Sequence, residues 1–289
     1  MTNKSYSLPN WRSVLFVPAH VERFVQSAHT RHADAIQLDL EDSVPMANKE
    51  TARKLLLRHS QYLATKGCDV IVRVNRDLRN CVLDLQAAIV PEVTAISLPK
   101  AMGPEHIRLI DELITELEIN QGMPIGQVRL IAMIETLEGL ANVNAIAGSC
   151  SRIEGLALGT EDLSLEGGFE PTEQNLFLPA QQLVFAAKKH QIRVYGFPAS
   201  IADYSDMDVF QNRIEKSKAM GFDGAWCVHP VQVIAVNEVY QTMPEELEKA
   251  KLIITAYDDA IKHHRAAVEL NGKMIDLPVV ERARRLLNR

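Results

Sequence analysis

The sequence is poor in cysteine, and none of its cysteines stands in a paired spacing. The four of them, Cys68, Cys81, Cys150 and Cys227, are far apart and form no CxxC pair. Neither a disulfide framework nor a thiolate metal cluster is therefore expected. This usage is typical of a protein from a reducing compartment.

The chain also lacks an excess of basic residues and any long apolar run. Its 31 Lys and Arg against 37 Asp and Glu give a formal net charge of −6, so a nucleic acid partner is not expected, although a local anion site remains compatible with this charge. No apolar run approaches the roughly 20 residues that span a bilayer, so no membrane partner is expected either. Residues 1–9 are polar and have no signal-peptide core. We therefore expect a cytoplasmic protein.

The glycine-rich nucleotide motifs are missing as well. The sequence contains no GxGxxG and no P-loop, and its first apolar run is followed by Val17-Pro18-Ala19-His20. A doubly wound sheet would favour a glycine-rich turn at that place and usually has fewer strands than this chain can form. That fold is the main alternative to the one that the apolar pattern predicts.

Short apolar runs alternate with helical stretches along most of the chain. The runs start roughly 20 to 40 residues apart, which is the size of one βα unit. Most are continuously apolar, as parallel strands covered by helices are. The pattern predicts an α/β protein with a closed (β/α)8 TIM barrel. The eight predicted strands are residues 13–17, 35–40, 70–74, 94–98, 129–134, 153–158, 192–197 and 224–228.

The pattern changes after the eighth run. Residues 244–270 show the period of one long amphipathic helix, which residues 271–273 interrupt with an Asn-Gly pair. Residues 278–287 predict a short closing helix with proline in its first turn. We therefore predict a barrel domain over residues 1–240 and a helical appendage over residues 241–289.

Polar and ionisable side chains follow most of the predicted strands. In a (β/α)8 barrel the carboxyl-terminal ends of the strands form one face, and that face carries the chemistry. A single polar strand end is unremarkable, but six of eight indicate a site. The groups are Asp39, Glu41 and Asp42; Arg73 and Asn75; Lys100; Glu135; Glu161 and Asp162; and His229.

Two carboxylates at successive strand ends suggest a metal site. Glu135 follows the fifth strand and Asp162 follows the sixth, so the two can converge across one strand spacing. Carboxylates without a paired His or Cys suit a hard cation that keeps several waters, Mg²⁺ above all. For either residue alone, a helix N-cap or a surface ion pair is the favoured interpretation, and only the two together indicate a metal site. Spacing does not separate Asp162 from its neighbour Glu161.

Arg73 and Lys100 are the candidate cations of the site. The planar fork of Arg73 suits a substrate carboxylate or a developing enolate oxygen. A structural salt bridge from Arg73 to Asp39 or Glu41 is the competing interpretation, and Lys100 has the same ambiguity. His229 could be an ordinary rim residue.

Taken together, the motifs resemble the citrate lyase beta-subunit family, which includes malyl-CoA, citramalyl-CoA and related acyl-CoA lyases. The resemblance covers nearly the whole barrel in the right order. It implies a (β/α)8 barrel that binds Mg²⁺, assembles as a homotrimer or larger oligomer, and cleaves a 3-hydroxyacyl thioester into an acyl thioester and an oxo acid. The motifs are RSVLFVP (12–18), LDLEDSV (38–44), VRVN (72–75), LPK (98–100), IET (134–136), LGTEDL (158–163) and VHPVQ (228–232).

The resemblance also implies roles for particular residues. Glu135 and Asp162 become the Mg²⁺ ligands, and Arg73 faces the substrate carboxylate or thioester oxygen. Asp39 and Glu41 become groups near the waters of the metal.

The carboxyl-terminal stretch GKMIDLP (272–278) resembles the lid of the CoA-dependent members. There the aspartate, here Asp276, reaches the active site of a neighbouring subunit as an acid and base. The alternative is that Asp276 caps the helix predicted to begin at Pro278.

Two departures from the family pattern fall on the predicted substrate contacts. The first is Ala19, which stands where a glycine is common after FVP in the family. It directly precedes the loop 20–23, and we expect Arg23 of this loop to bind coenzyme A. The second is Phe197-Pro198, where many relatives carry Asp-Gly, so that Pro198 becomes a candidate specificity residue.

Three functions stay open. The preferred one is an acyl-CoA lyase acting on citramalyl-CoA or malyl-CoA, and the second is a citrate lyase beta subunit acting on a carrier-bound citryl group. The retained GKMID motif favours free coenzyme A. The third is a metal-dependent 2-keto-3-deoxy acid aldolase, whose DxEH motif would need a histidine where this chain has Asp42.

Overall fold

The computed structural model describes residues 8–287. The expectation for the polar amino terminus concerns mainly residues 1–7, which lie outside the described residues. The chain divides into two compact units, Met1–Tyr240 and Gln241–Arg289.

The first unit is built on eight parallel strands. Their bounds agree with the predicted runs to within a few residues, because each run is apolar enough to be buried on both faces. The strands are β1 Ser13–Pro18, β2 Ala35–Asp39, β3 Asp69–Arg73, β4 Val93–Leu98, β5 Arg129–Ile134, β6 Ile153–Leu158, β7 Arg193–Tyr195 and β8 Ala225–Cys227.

Each strand is hydrogen-bonded to its neighbours in the order β7-β6-β5-β4-β3-β2-β1-β8. A parallel bridge between Tyr195 and Gly224 joins the two ends of this sheet. The sheet therefore closes on itself, and the predicted (β/α)8 barrel is confirmed.

The barrel separates two apolar clusters. On β2, the side chains of Ile36 and Leu38 point outward to the layer between strands and helices, while Ala35 packs with the interior cluster around Ile131 and Trp226. This alternation follows from the period of two along a strand.

Helices connect the strands and cover the barrel. They are α1 Glu22–Ala28, α2 Lys49–Thr65, α3 Leu78–Ala88, α4 Pro104–Asn120, α5 Leu137–Ala141, α6 Val143–Ala147, α7 Thr160–Gly167, α8 Glu173–Lys189, α9 Met207–Met220 and α10 Pro230–Tyr240. Within the part of the chain that the structure describes, every helix is too short or too polar to span a bilayer.

The second unit differs from the sequence prediction. Its first helix, α11 Pro244–Lys262, ends well before residue 270. Two short strands follow, β9 Val268–Leu270 and β10 Lys273–Ile275, which pair antiparallel, and α12 Leu277–Leu287 comes last. The prediction of one helix over 244–270 is therefore wrong in its last two turns. Asn271 and Gly272 both have positive φ, 51° and 74°, and this geometry makes a tight hairpin turn.

Candidate active site

A cavity of about 450 Å³ opens at the carboxyl-terminal ends of the strands. The register of the barrel brings the predicted residues to this place: Asp39 lies opposite Arg73, and Ile134 lies opposite Leu158, so that Glu135 and Gly159 follow side by side. The polar side chains of the cavity wall are Asp39, Asp42, Ser43, Arg73, Glu135, Thr160, Glu161 and Asp162.

Arg73 is the buried cation of the site. Its Nε and Nη2 donate to the two carboxylate oxygens of Asp39 at 2.7 and 2.8 Å, and its Nη1 lies 2.8 Å from Oε2 of Glu41. Its guanidinium carbon lies 4.8 Å from the centre of the Phe16 ring. The structural salt bridges that were the alternative to a substrate contact of Arg73 are therefore present. Arg73 also lines the cavity.

Asp39 is fully buried behind Arg73. Besides the guanidinium it accepts hydrogen bonds from the Glu41 N–H and from the Ser43 N–H and hydroxyl. Burial alone would raise its pKa, but Arg73 and Ser43 hold the pKa of Asp39 below its usual value. Asp39 is therefore an anion that orients Arg73.

Glu41 is also buried but is less well compensated. Burial raises the pKa of Glu41 to about 8, and the charge of Glu135 adds to the increase, while Arg73 opposes it. Glu41 can thus hold a proton at neutral pH. It lies behind Arg73 and 4.0 Å from Nζ of Lys100, so its charge affects the cavity through its contacts with these two cations.

Glu135 follows β5 and is 2% exposed. Its Oε1 accepts a hydrogen bond of 2.7 Å from the backbone N–H of Lys100. Its other oxygen lies against Gly159, where any Cβ would collide with it, so this carboxylate requires glycine at position 159. Burial, together with the charge of Asp162, raises the pKa of Glu135 to about 7.

Asp162 lies in the first turn of α7, where a carboxylate is favoured by the helix dipole. Its Oδ2 is 3.2 Å from Nζ of Lys100. The neighbouring Glu161 also lines the cavity but accepts the backbone N–H of Ile201 at 3.2 Å. The two neighbours that spacing could not separate therefore have different partners: Asp162 faces the cation, and Glu161 holds a loop.

The donor set fits a hard divalent cation. Within residues 8–287 no three His, Cys, Asp or Glu side chains gather closely enough to hold a metal by themselves. Mg²⁺ commonly takes only one or two carboxylates and completes its shell with water and substrate oxygens. Glu135 and Asp162, two oxygen donors on one cavity wall, provide such a pair.

The other predicted residues lie apart from this cluster. Arg23 is exposed on α1, over the ring of Phe24. Pro198 is buried, and its neighbours Phe197 and Ala199, rather than Pro198 itself, form the cavity wall. His229 is exposed and stacks on Tyr204 with ring centroids 5.0 Å apart.

Asp276 belongs to the second unit. It directly precedes α12, and its Oδ1 accepts the N–H of Val279 at 3.3 Å. The capping contact considered as the alternative role of Asp276 is therefore present.

Sequence reasoning missed a buried polar network beside the site. The ammonium of Lys49 donates to the carbonyls of Leu40 and Glu41 at 2.8 and 2.9 Å, and to Oδ1 of Asn75 at 2.5 Å. The Oδ2 of Asp84 accepts from the backbone and side chain of Asn75. The network fixes the loop that follows β2.

A signal for this network was present in the helical pattern. Lys49 lies on the buried face of α2 with Ala52 and Leu56, and Asp84 lies between Cys81 and Leu85 on the buried face of α3. A charged residue at a core position of an amphipathic helix must be paired, so its place in the helical pattern indicates a buried polar partner.

Together, the fold and the site define an α/β-barrel enzyme of the carbon–carbon lyase class. The chain belongs to the HpcH/HpaI aldolase/citrate lyase family, which matches residues 12–230. It is 31% identical to the citrate lyase subunit beta of Haemophilus influenzae over 281 residues, covering 96% of each protein. It is 30% identical to a (3S)-malyl-CoA thioesterase of Cereibacter sphaeroides over 280 residues, covering 96% of this chain and 93% of that one.

A solved structure supports the same assignment. Protein CitE from Mycobacterium tuberculosis, in complex with magnesium, acetoacetate and coenzyme A, superimposes with a TM-score of 0.75 and 25% identity over 96% of this chain and 97% of that chain. RipC from Yersinia pestis superimposes with a TM-score of 0.66 and 26% identity, covering 82% of this chain and 97% of that one.

Proposed function

We propose that the protein is a Mg²⁺-dependent lyase that cleaves a 3-hydroxyacyl-CoA thioester, citramalyl-CoA or malyl-CoA, into acetyl-CoA and pyruvate or glyoxylate. One observation carries the proposal: Glu135 and Asp162 face the same cavity as Arg73, with Lys100 between the two carboxylates. The magnesium complex of the related CitE supports the choice of metal.

Glu135 and Asp162 would hold the Mg²⁺. The bound ion would act as a Lewis acid that lowers the pKa of the substrate hydroxyl. Glu135 is fixed for this role by the backbone of Lys100, and Asp162 is the more accessible ligand. The Lys100 ammonium, 3.2 Å from Oδ2 of Asp162, would compete with the ion for this carboxylate.

Arg73 would stabilise the negative charge that cleavage leaves on the thioester. A base takes the proton of the substrate hydroxyl, and the resulting alkoxide collapses to the oxo group of the oxo acid. The bond between the carbinol carbon and the α-carbon breaks in this step, and its electron pair goes to the α-carbon and the thioester oxygen. Three of the guanidinium donors face Asp39 and Glu41, and the remaining N–H groups can donate to that oxygen. Because Asp39 and Glu41 act through Arg73, they are positioning residues.

A proton must then reach the α-carbon to give the acyl product. We assign this step to Asp276 of a neighbouring subunit, following the resemblance of residues 272–278 to a lid. The enzyme would then be a homo-oligomer, a trimer or larger, whose site is complete only between two copies. Closure of this segment would also exclude water from the enolate.

A second candidate is a citrate lyase beta subunit acting on a citryl thioester bound to an acyl carrier protein. The similarity to citrate lyase subunits beta, at 30% to 31% identity, favours it.

Turnover of purified protein tests the proposal. Citramalyl-CoA and malyl-CoA should be cleaved with Mg²⁺ and not with excess chelator. Glu135→Gln should abolish turnover, whereas the matched variant Glu161→Gln, on the same cavity wall, should retain most of it. No cleavage of either CoA thioester, together with cleavage of a carrier-bound citryl group, would establish the second candidate instead.

A further inference from the structure

The two sides of the cavity differ in charge. Its ionisable side chains all lie at the carboxyl ends of β2, β3, β5 and β6 or just after them. The side formed by β7, β8 and β1 contributes no ionisable side chain to the wall within the residues that the structure describes. Its side chains there include Phe16, Phe197, Ala199, Ile201, Trp226 and Val228.

The apolar side continues down to the floor of the cavity. Met133, Ala157 and Trp226 are 5%, 2% and 4% exposed and belong to the cluster inside the barrel. The indole N–H of Trp226 donates to Oε1 of Gln37 at 2.9 Å. The polar atom of this ring is therefore already paired with a residue of β2.

The two cations near the cavity, Arg73 and Lys100, belong to its charged side, where carboxylates hold them. Arg73 faces Asp39 and Glu41, and Lys100 faces Asp162. A second substrate carboxylate on the floor would lose its water without gaining a cation, and burying such an unpaired charge is strongly unfavourable.

Coenzyme A is too large for a cavity of about 450 Å³, so the thioester arm must leave through the mouth. Of the three other groups on the hydroxyl-bearing carbon, the hydroxyl and the carboxylate would face the proposed metal ligands Glu135 and Asp162, which leaves the remaining substituent for the apolar side and the floor. We propose that this substituent is an apolar alkyl or aryl group, so that the 2-oxo acid product has an apolar side chain. This inference rests on the proposed lyase function. It favours citramalyl-CoA, whose substituent is methyl, over malyl-CoA, whose substituent is hydrogen, and it extends the substrate class to larger apolar substituents.

The test compares two thioesters of equal shape. Citryl-CoA carries a carboxymethyl group on the carbinol carbon, and its isostere carries isobutyl in that place. The isobutyl substrate should have a kcat/KM at least about tenfold higher, because a desolvated carboxylate opposes binding at the floor. When the substituent on the hydroxyl-bearing carbon is changed from hydrogen to methyl to ethyl, kcat/KM should rise by about threefold to fourfold per methylene, because each added methylene is buried against the apolar side.

Val228 allows the charge of the apolar side to be changed. It is 41% exposed, so a longer side chain can be accommodated. Val228→Lys should raise kcat/KM for citryl-CoA by about tenfold and lower it for the isobutyl substrate, because the ammonium pairs with the carboxymethyl group. Val228→Met has similar length without charge and should give no gain on citryl-CoA.

Three results would overturn the inference while leaving the lyase function intact. The first is citryl-CoA cleaved as well as its isobutyl isostere. The second is a rate independent of the substituent. The third is a Val228→Lys variant whose KM is raised equally for every thioester. That result would mean that the apolar side binds the pantetheine arm of coenzyme A and not the substituent.

Failure of the proposed function has a different signature. No thioester would then be cleaved, and the inference would be judged from calorimetric binding of the free oxo acids in the presence of Mg²⁺. 4-Methyl-2-oxopentanoate should bind at least about tenfold more tightly than oxaloacetate, and equal or reversed affinities would overturn the inference.

Discussion

The backbone N–H of Lys100 donates a hydrogen bond of 2.7 Å to Oε1 of Glu135. Its ammonium lies 3.2 Å from Asp162. One residue thus contacts both carboxylates of the proposed metal site, one through its backbone and the other through its side chain. Its φ of 47° places it in the left-handed region, a conformation that non-glycine residues adopt rarely and often at functional sites.

Replacement of Lys100 by methionine should strengthen Mg²⁺ binding. Lys100→Met keeps the backbone contact with Glu135 but removes a positive charge that competes with the metal for Asp162. We expect a Kd for Mg²⁺ lower by roughly tenfold, measured by titration calorimetry. Lys54→Met, which removes an exposed ammonium paired with Glu50, is the control and should leave the Kd unchanged. Weaker binding in Lys100→Met would contradict the assignment of Asp162.

Removing only the cation of the Arg73–Asp39 pair should destabilise the protein strongly. Arg73→Met leaves Asp39 buried without its cation, so the free energy of unfolding should fall by about 3 to 5 kcal/mol in urea titrations. Arg58→Met, which removes the exposed pair with Glu22, should cost less than about 1 kcal/mol. The double variant Arg73→Met/Asp39→Asn should recover part of the loss. A single-variant loss as small as that of Arg58→Met would contradict the prediction.

Lys49 should stabilise the loop that carries Glu41 and Asp42. Lys49→Met removes the donor to two carbonyls and to Asn75, leaving buried acceptors without a partner. The free energy of unfolding should fall by about 2 to 3 kcal/mol. Lys54→Met, on the same helix but exposed, should change it by less than about 0.5 kcal/mol. Equal values for the two variants would show that water replaces the ammonium without loss.

Two substitutions separate the capping and the catalytic roles of Asp276. Asparagine caps a helix about as well as aspartate, so Asp276→Asn should leave the unfolding free energy nearly unchanged, whereas Asp276→Ala should lower it by about 1 kcal/mol. If the carboxyl group transfers the proton, both variants should lose turnover by at least about 100-fold. An active Asp276→Asn variant would leave Asp276 with the capping role alone.

Mixed oligomers test whether Asp276 acts in the site of another copy. Asp276→Asn and Glu135→Gln chains should each be inactive alone. After unfolding and refolding together, a site with intact Glu135 can receive the intact Asp276 of the other chain, and activity should return. No recovery in verified mixed oligomers would mean that both residues serve the same copy.

The barrel could be predicted from the sequence because its strands are buried on both faces and therefore appear as continuous apolar runs. The carboxyl-terminal face followed from the same pattern, since polar residues come directly after the strands. Which side chains contact one another in the site could not be predicted this way. Whether Arg73 contacts Asp39, a substrate or both depends on side-chain directions, and Glu161 differs from Asp162 only in which neighbour it faces.

The carboxyl-terminal hairpin was missed for a physical reason. The helical period of α11 continues past His263, so residues 268–270 also fit a helix. The signal that decides against it is Asn271-Gly272, the pair most favoured where two successive residues need positive φ. Val268, Leu270 and Ile275 then alternate as strand residues do.

The barrel is closed by its two shortest strands. β7 and β8 have three residues each, and the bridge from Tyr195 to Gly224 is reinforced by Asp223, which accepts the N–H of Val194 and the ammonium of Lys188. Amide protons along this seam should exchange with solvent earlier than those of β3 to β6, because few hydrogen bonds must open to release them. The apolar wall of the cavity borders the same seam. Local opening of the hydrogen bonds between β7 and β8 would therefore widen the pocket on the side that we propose binds the substituent of the hydroxyl-bearing carbon.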